Sequence, residues 1–193
     1  VVDETPIVKE KESGKLKVVW ISRIAPYKNL MGAIEILKNV KGDIEFTIYG
    51  PKHVPEYWDE CEEELKKLPS NVKWAWGGNV ESENVVKTLK EHHVFLFPTL
   101  GENYGHVIQE ALSAGCPVIL SDQTPWKDLE ENQVGFICRL GEEEKFIEAI
   151  NSYVYLDKEK FKKVSNNTVK YVLKNNKQKI KNNGYKNMFN SIK

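Results

Sequence analysis

Six short apolar runs, separated by polar stretches of helical character, constrain this chain more than any other feature. They read KVVWIS (17–22), IEFTIYG (44–50), VKWAWG (72–77), VFLFPT (94–99), PVILS (117–121) and VGFIC (134–138). Most are nearly continuous in apolar and β-branched residues rather than alternating, as expected of parallel strands covered on both faces. Between them lie NLMGAIEILKNV, PEYWDECEEELKKL, ESENVVKTLKEH, GHVIQEALSAG and TPWKDLEEN. The first and fourth of these carry apolar residues at helical spacing. Such alternation predicts an α/β architecture: a parallel sheet of about six strands with helices on both faces. Right-handed crossovers make it doubly wound and Rossmann-like. After about residue 142 the chain reads as helical, first EEEKFIEAINSYVYL, then KEKFKKVSNNTVKYVLKN, where Phe161, Val164, Thr168 and Val172 recur at spacings of three and four.

At 193 residues and 40% hydrophobic content, the chain has enough apolar material for one substantial core. No run of 18 apolar residues suits a membrane span. The opening VVDETPIVKEKESGK has no apolar signal core and no starting methionine, so the chain is expected to be a piece of something longer or the product of processing. Cys61, Cys116 and Cys138 are far apart and form no CxxC pair, which argues against a disulfide framework or a zinc site and for a reducing cytoplasm. Net charge is zero, yet residues 157–193 hold eleven lysines against two acids, a local +9. Three segments are expected: an interdomain connector over 1–15, a Rossmann-like ligand-binding domain over 16–156 and a basic C-terminal helical tail over 157–193.

In an open parallel sheet, ligands sit beyond the carboxyl ends of the strands. The loop after the first strand, SRIAPYKNL, has no glycine, which excludes the dinucleotide fingerprint, and no P-loop occurs anywhere. It offers Arg23, Lys28 and a plausible helix cap at Asn29. Two cations at a helix start suit a phosphate, although solvated loop charges are the simpler alternative. Only Arg23 and Arg139 are arginines among 28 basic residues, and arginine binds anions in ways lysine cannot.

The fourth strand runs into PTLGENYGHVIQEALSAG. Gly105 starts a helix and Gly115 ends it, so backbone N–H groups of 103–106 are expected to be free toward the crevice. Val107, Ile108, Ala111 and Leu112 form the buried stripe, and Glu110 lies at its edge, about 60° from Val107. A carboxylate there suits a vicinal diol, such as a ribose. Glu102, upstream on the loop, suits a second polyol. Either glutamate alone would read as solvated surface. Their placement together in this loop favours a shared ligand.

This stretch resembles the E-x7-E signature of the retaining glycosyltransferases of GT-B fold, the glycosyl transferases group 1 family. VWISRIAPYKNL resembles that family's first strand and its Arg…Lys loop, and TIYGP its second-strand glycine, Gly50. The resemblance covers residues 16 to about 140 and is carried most specifically by the glutamates inside P-T-x-x-E…E-A-x-x-x-G-x-P-V-I. It implies that the chain is the C-terminal, donor-binding half of a GT-B enzyme. Arg23 and Lys28 would then hold the diphosphate of a nucleotide sugar, Glu102 would meet donor-sugar hydroxyls, and Glu110 would grip the ribose. Backbone amides around Asn103, Tyr104 and Gly105 would contact sugar and phosphates, with His106 beside them. The base would lie near Trp76, Gly77 and Gly78, where WAWGGNV departs from the family's shorter pattern.

The same resemblance implies retention of anomeric configuration and a missing N-terminal domain that binds most of a glycan or lipid-linked acceptor. The isolated chain would turn over little or nothing. No D-x-D occurs in the sequence, so transfer without a metal or other cofactor is expected, with cations and a helix N-terminus stabilising the leaving diphosphate. Two rival readings share some of these features: a non-catalytic nucleotide-sugar-binding scaffold, and a glycosidase using Glu102 and Glu110. The lysine-rich tail suits the solvated face of closing helices better than nucleic acid, for which it lacks interleaved aromatics. Peripheral contact with the inner face of a membrane is compatible with it.

Overall fold

A computed structural model describes residues 9–190, with side chains as far as Asn176. The expected connector is therefore described only from residue 9 onward. Six strands form, β1 (Lys15–Ile21), β2 (Asp43–Tyr49), β3 (Val72–Trp76), β4 (Val94–Phe97), β5 (Val118–Ser121) and β6 (Gly135–Cys138). Six α-helices accompany them: α1 (Leu30–Leu37), α2 (Pro55–Leu65), α3 (Val85–Lys90), α4 (His106–Ser113), α5 (Glu143–Val154) and α6 (Lys158–Asn190). The strands make one sheet in the order β3-β2-β1-β4-β5-β6, and every pairing is parallel. This is the doubly wound arrangement expected from the sequence. Chain direction across the sheet reverses at β1 and β4, which pair through Val18 with Val94 and Val19 with Phe95. That reversal opens a crevice at their carboxyl ends.

The continuous apolar character of the strands follows from their burial. All four residues of β4 and all four of β5 are buried. Trp20 and Phe97 meet edge to face at 6.2 Å, and Phe97 stacks on Phe95 at 5.3 Å. Among the segments between strands, TPWKDLEEN is not helical: residues 124–132 turn irregularly before β6. Its composition explains this. Pro125 removes a donor at the start, and Leu129 is the one fully buried apolar side chain, so no helical stripe exists to bury. Asn132 Nδ2 instead donates to the Asp128 carbonyl at 2.7 Å, closing a local turn.

α6 packs across α4. Phe161, Ser165, Thr168, Tyr171 and Val172 are buried on its inner face, and Ser165 Oγ donates to the Gly115 carbonyl at 2.6 Å. The first turns of the lysine-rich segment thus close the core, with lysines on the outer face.

At the opposite, amino-terminal edge of the sheet, residues 9–12 form a strap. Lys9 and Lys11 are buried. The Lys9 ammonium donates to the carbonyls of Leu89, in the last turn of α3, and His92, just past it. Lys11 donates to those of Val154 and Leu156, at 2.9 and 3.0 Å, where α5 ends. Helix C-termini expose unpaired carbonyls, and each lysine caps one such end. His93 fastens the strap to the sheet. Its Nδ1 accepts from the Lys17 amide at 2.9 Å, and its Nε2 donates to the Glu10 carbonyl at 2.7 Å.

Candidate functional site

The crevice is built by three loops that leave the carboxyl ends of β1, β4 and β5. The first carries a short 3-10 turn over Pro26–Lys28, then Asn29 in the left-handed region at φ 56°. Asn29 Oδ1 accepts from the Gly32 amide at 3.1 Å, which caps α1 as the sequence suggested. Its Nδ2 donates at 2.7 Å to the carbonyl of Pro98, the residue after β4. The Tyr27 carbonyl accepts from the Leu100 amide at 3.1 Å and from Thr99 Oγ1 at 3.3 Å. From the third loop, the Gln123 carbonyl accepts from the Glu102 amide at 3.0 Å, and Ser121 Oγ donates to the Thr99 carbonyl at 2.5 Å. A Cβ at Gly101 would stand 2.0 Å from the hydroxyl of Tyr27, so any larger residue there must displace that exposed ring.

On this scaffold the Lys28 ammonium and Glu102 carboxylate meet at 2.8 Å, with side-chain exposures of 14% and 18%. Burial pushes the Glu102 carboxyl up, but Lys28 and the amides of Tyr104 and Gly105 outweigh it and hold the group below the ordinary carboxylate range. The expectation of free amides over 103–106 is corrected by this arrangement. Gly105, at φ 74°, turns the loop so that two of these donors face Glu102 rather than open crevice.

Glu110 lies one turn into α4, half-buried. Among the described residues its carboxylate makes no ion pair or hydrogen bond, and burial lifts its pKa against the opposing pull of His106 four residues earlier. The rings of His106 and Tyr104 meet at 4.5 Å, tilted at 42°. Ile108, Ala111 and Leu112 are the buried stripe of α4, whereas Val107 is only half-buried. Asn103 is exposed on the Glu102 loop.

Arg23 stands on the β1 loop, exposed and outside any ion pair among the described residues. The backbone on either side of it is fixed: the Ser22 amide donates to Tyr49 O at 3.1 Å and the Ile24 amide to Pro51 O at 2.9 Å. Gly50 ends β2 at φ 131°, and a Cβ there would meet the Ser22 carbonyl at 1.8 Å. Only glycine permits the two strand ends to approach this closely.

Trp76, Gly77 and Gly78 lie at the end of β3, two strands from β1, a displacement of roughly 10 Å. The Gly50 amide donates to Gly78 O at 2.9 Å, and Trp76 Nε1 donates to Gly50 O at 3.2 Å. Lys52 Nζ lies 4.2 and 4.3 Å from the ring centroids of Trp58 and Trp76.

The structure therefore gathers Lys28, Glu102, Tyr104 and Gly105 into direct contact, with Asn103, His106 and Glu110 on the same loop and helix. Arg23 and Gly50 occupy the neighbouring rim, and Trp76 to Gly78 stand further along it. Asn29, Tyr27 and Ser121 shape the site as well. The sequence gives Asn29 away only as a cap, and nothing in it signals the other two, since their partners lie in distant segments. Chemically the set offers cations and amide donors for an anion, and carboxylates for hydroxyl groups. No cluster of His, Cys, Asp and Glu able to hold a metal occurs among the described residues, nor does a helix long and apolar enough to cross a membrane.

Comparison with known proteins bears on the fold and the family. A sulfoquinovosyl transferase of Arabidopsis thaliana is 26% identical over 153 residues, covering 75% of this chain and 28% of its own. HepE of Anabaena, solved with UDP, superposes with a TM-score of 0.73 at 20% identity, over 89% of this chain and 49% of that one. The catalytic domain of a Helicobacter pylori cholesterol-α-glucosyltransferase superposes with a TM-score of 0.64 at 16% identity, over 82% of this chain and 98% of that one. The chain thus spans under a third of the plant enzyme and about half of HepE. The sequence model described as Glycosyl transferases group 1 matches residues 2–171, most of the chain. The chain belongs to the glycosyl transferases group 1 family.

Proposed function

We propose that this chain is the donor-binding half of a retaining, metal-independent glycosyltransferase, and that it holds a nucleoside-diphosphate sugar at the rim between β1 and β4. The observation that carries this reading is the Lys28–Glu102 contact of 2.8 Å at the sheet's reversal point. It puts a cation, and a carboxylate held in place by two backbone amides, where an open parallel sheet receives its ligand. Lys28 and Arg23 would take the diphosphate. Glu102 and the Asn103–Gly105 backbone would meet the donor sugar. Glu110, half-buried without a partner, is a ready acceptor for two vicinal hydroxyls of a ribose. The base would reach along the rim toward Gly50 and Trp76–Gly78. HepE is solved with UDP and with UDP-glucose, which supports a nucleotide sugar as the class of ligand.

Transfer requires charge stabilisation on the departing diphosphate, and Lys28 and Arg23 are the residues placed to supply it. Glu102 is held ionised, which suits a hydroxyl acceptor. The cationic rim of Arg23 and Lys28, which a hydrolase does not need, weighs against the glycosidase reading. An N-terminal domain would bring the acceptor, a glycan or lipid-linked sugar, as in cell-surface polysaccharide or glycolipid assembly. A cytoplasmic setting fits the three free, buried thiols of Cys61, Cys116 and Cys138.

Thermal-shift and calorimetric titration against UDP, GDP, ADP and their glucose conjugates tests the reading. At least one nucleotide is expected to stabilise the chain, and Glu110→Gln to reduce that stabilisation. No response to any of them, or an unchanged response in both Glu110→Gln and Lys28→Met, would overturn it.

A further inference from the structure

A second concavity adjoins the Glu102 loop through Asn103 and Tyr104. It has a volume of about 350 Å³, and Trp126, Tyr171, Asn175 and Asn176 contribute to its walls. The polar edges of its aromatic rings are already engaged. Trp126 Nε1 donates to the Tyr104 carbonyl at 3.1 Å. The Tyr171 hydroxyl donates to Asp128 Oδ1 at 2.5 Å, and that of Tyr104 to Gln109 Oε1 at 3.1 Å.

The charged members are engaged too. Lys127 Nζ donates to the Asp122 carbonyl at 2.9 Å, and Asp128 also accepts from Asn132 Nδ2 at 3.2 Å. What remains for a ligand is the faces of Trp126 and Tyr171, their centroids 6.2 Å apart and inclined at 44°, edged by the neutral amides of Asn103 and Asn176, that of Asn175 being hydrogen-bonded to Tyr171.

Such a site selects by shape and neutrality. A phosphate would meet a single cation in these walls, Lys127, already turned onto the Asp122 carbonyl. A purely apolar ligand would leave the amides unpaired. A pyranose ring matches both parts: an apolar C–H face for the indole, and a rim of hydroxyls that an amide can meet as donor and acceptor.

We propose that this pocket binds one neutral pyranose residue of a glycan, stacked on Trp126 beside Tyr171. Its place next to the transferred sugar rests on the proposed transfer function, because the two sites share the Asn103–Tyr104 segment. Pyranose binding itself does not depend on that reading.

The test is a titration of the chain with methyl α-D-glucopyranoside, methyl α-D-galactopyranoside, the methyl glycoside of N-acetylglucosamine, and maltotriose. The indole N–H resonance of Trp126, assigned through Trp126→Phe, is followed by NMR, with uridine as the control for unselective stacking. At least one sugar is expected to shift the signal saturably, and Asn176→Ala to weaken binding by about tenfold, the loss of one amide's hydrogen bonds. Trp126→Ala is expected to abolish binding. Because that change also frees the Tyr104 carbonyl, Asn176→Ala decides the matter if Trp126→Ala fails to fold. No saturable shift with any sugar, an equal shift with uridine, or wild-type affinity in Asn176→Ala would overturn the proposal. Binding of UDP, GDP and ADP is measured in parallel. Absence of all three beside intact sugar binding would sink the transfer reading and spare the pocket, and the reverse pattern would sink the pocket alone.

Discussion

Lys28 and Glu102, 74 residues apart in sequence, close the floor of the crevice with one ion pair between the β1 and β4 loops. The carboxylate also draws in the amides of Tyr104 and Gly105. In the unliganded chain, Glu102 therefore occupies the donors that the sequence reading reserved for ligand.

Replacing Lys28 with Met removes the strongest favourable partner of Glu102. Its carboxyl is then expected to titrate higher than in the wild type, measured by carbon NMR of the side chain. A depressed carboxylate stabilises the fold above its unfolded pKa, and that contribution disappears as pH falls through the folded value. The variant's acid-unfolding profile should accordingly be flatter on this limb, and its stability at neutral pH lower by about 1–2 kcal/mol. An unmoved Glu102 titration would show that the amides alone hold it ionised.

Glu110 has the opposite character. Its raised pKa comes from burial without a partner, so its negative charge costs stability at neutral pH. Glu110→Gln is expected to raise the melting temperature modestly, by the stability–function trade-off. The same substitution should weaken nucleotide affinity by about tenfold or more, since bonds to an ionised acceptor contribute roughly 1.5–3 kcal/mol each. Denaturation and calorimetry on one pair of samples measure both. A gain in stability with unchanged nucleotide affinity would remove Glu110 from the site.

His93 predicts a pH dependence remote from the crevice. Burial lowers its pKa to about 4 from 6.5, and both ring nitrogens are committed, one as acceptor and one as donor. Protonation would set an N–H against the Lys17 amide. The unfolded chain therefore binds this proton more readily. The stabilisation is complete above pH 6.5 and erodes as pH falls toward 4. The full shift corresponds to roughly 3 kcal/mol as an upper figure. Denaturant unfolding of the wild type and His93→Asn across this range should give curves that differ in slope only within it. Parallel curves would contradict the assignment.

Gly50→Ala should be among the most damaging single-methyl changes in the chain. The added carbon would meet backbone, the Ser22 carbonyl, at 1.8 Å, in a conformation at φ 131° that L side chains rarely adopt. Neither neighbour is a flexible tip that could swing aside. A loss of about 3 kcal/mol or more is expected, read by chemical denaturation. Gly14→Ala is the useful contrast, since a Cβ there meets nothing within 4 Å and only the φ of 89° opposes it.

The sheet was legible because parallel strands bury both faces, which leaves an unbroken apolar signature in β4 and β5. Residues 124–132 misled for a related reason: their position between two strands suggested a helix, while their own side chains supplied no face for one. At the site, the two cations and the two glutamates could be read because they punctuate loop and helix boundaries. Which donors Glu102 would take could not. That depends on the left-handed turn at Gly105 and on Lys28 arriving from another loop. The walls of Trp126 and Tyr171 escaped notice likewise, being joined only when α6 folds back across α4.

Asn29, by bonding to its own helix and to Pro98 at once, latches the β1 loop to the end of β4 before any ligand arrives. The ordering of these two walls is thus settled during folding rather than at binding. A ligand entering this mould should show little loss of loop entropy, and the heat capacity of association should reflect the surface it covers rather than a segment it must organise.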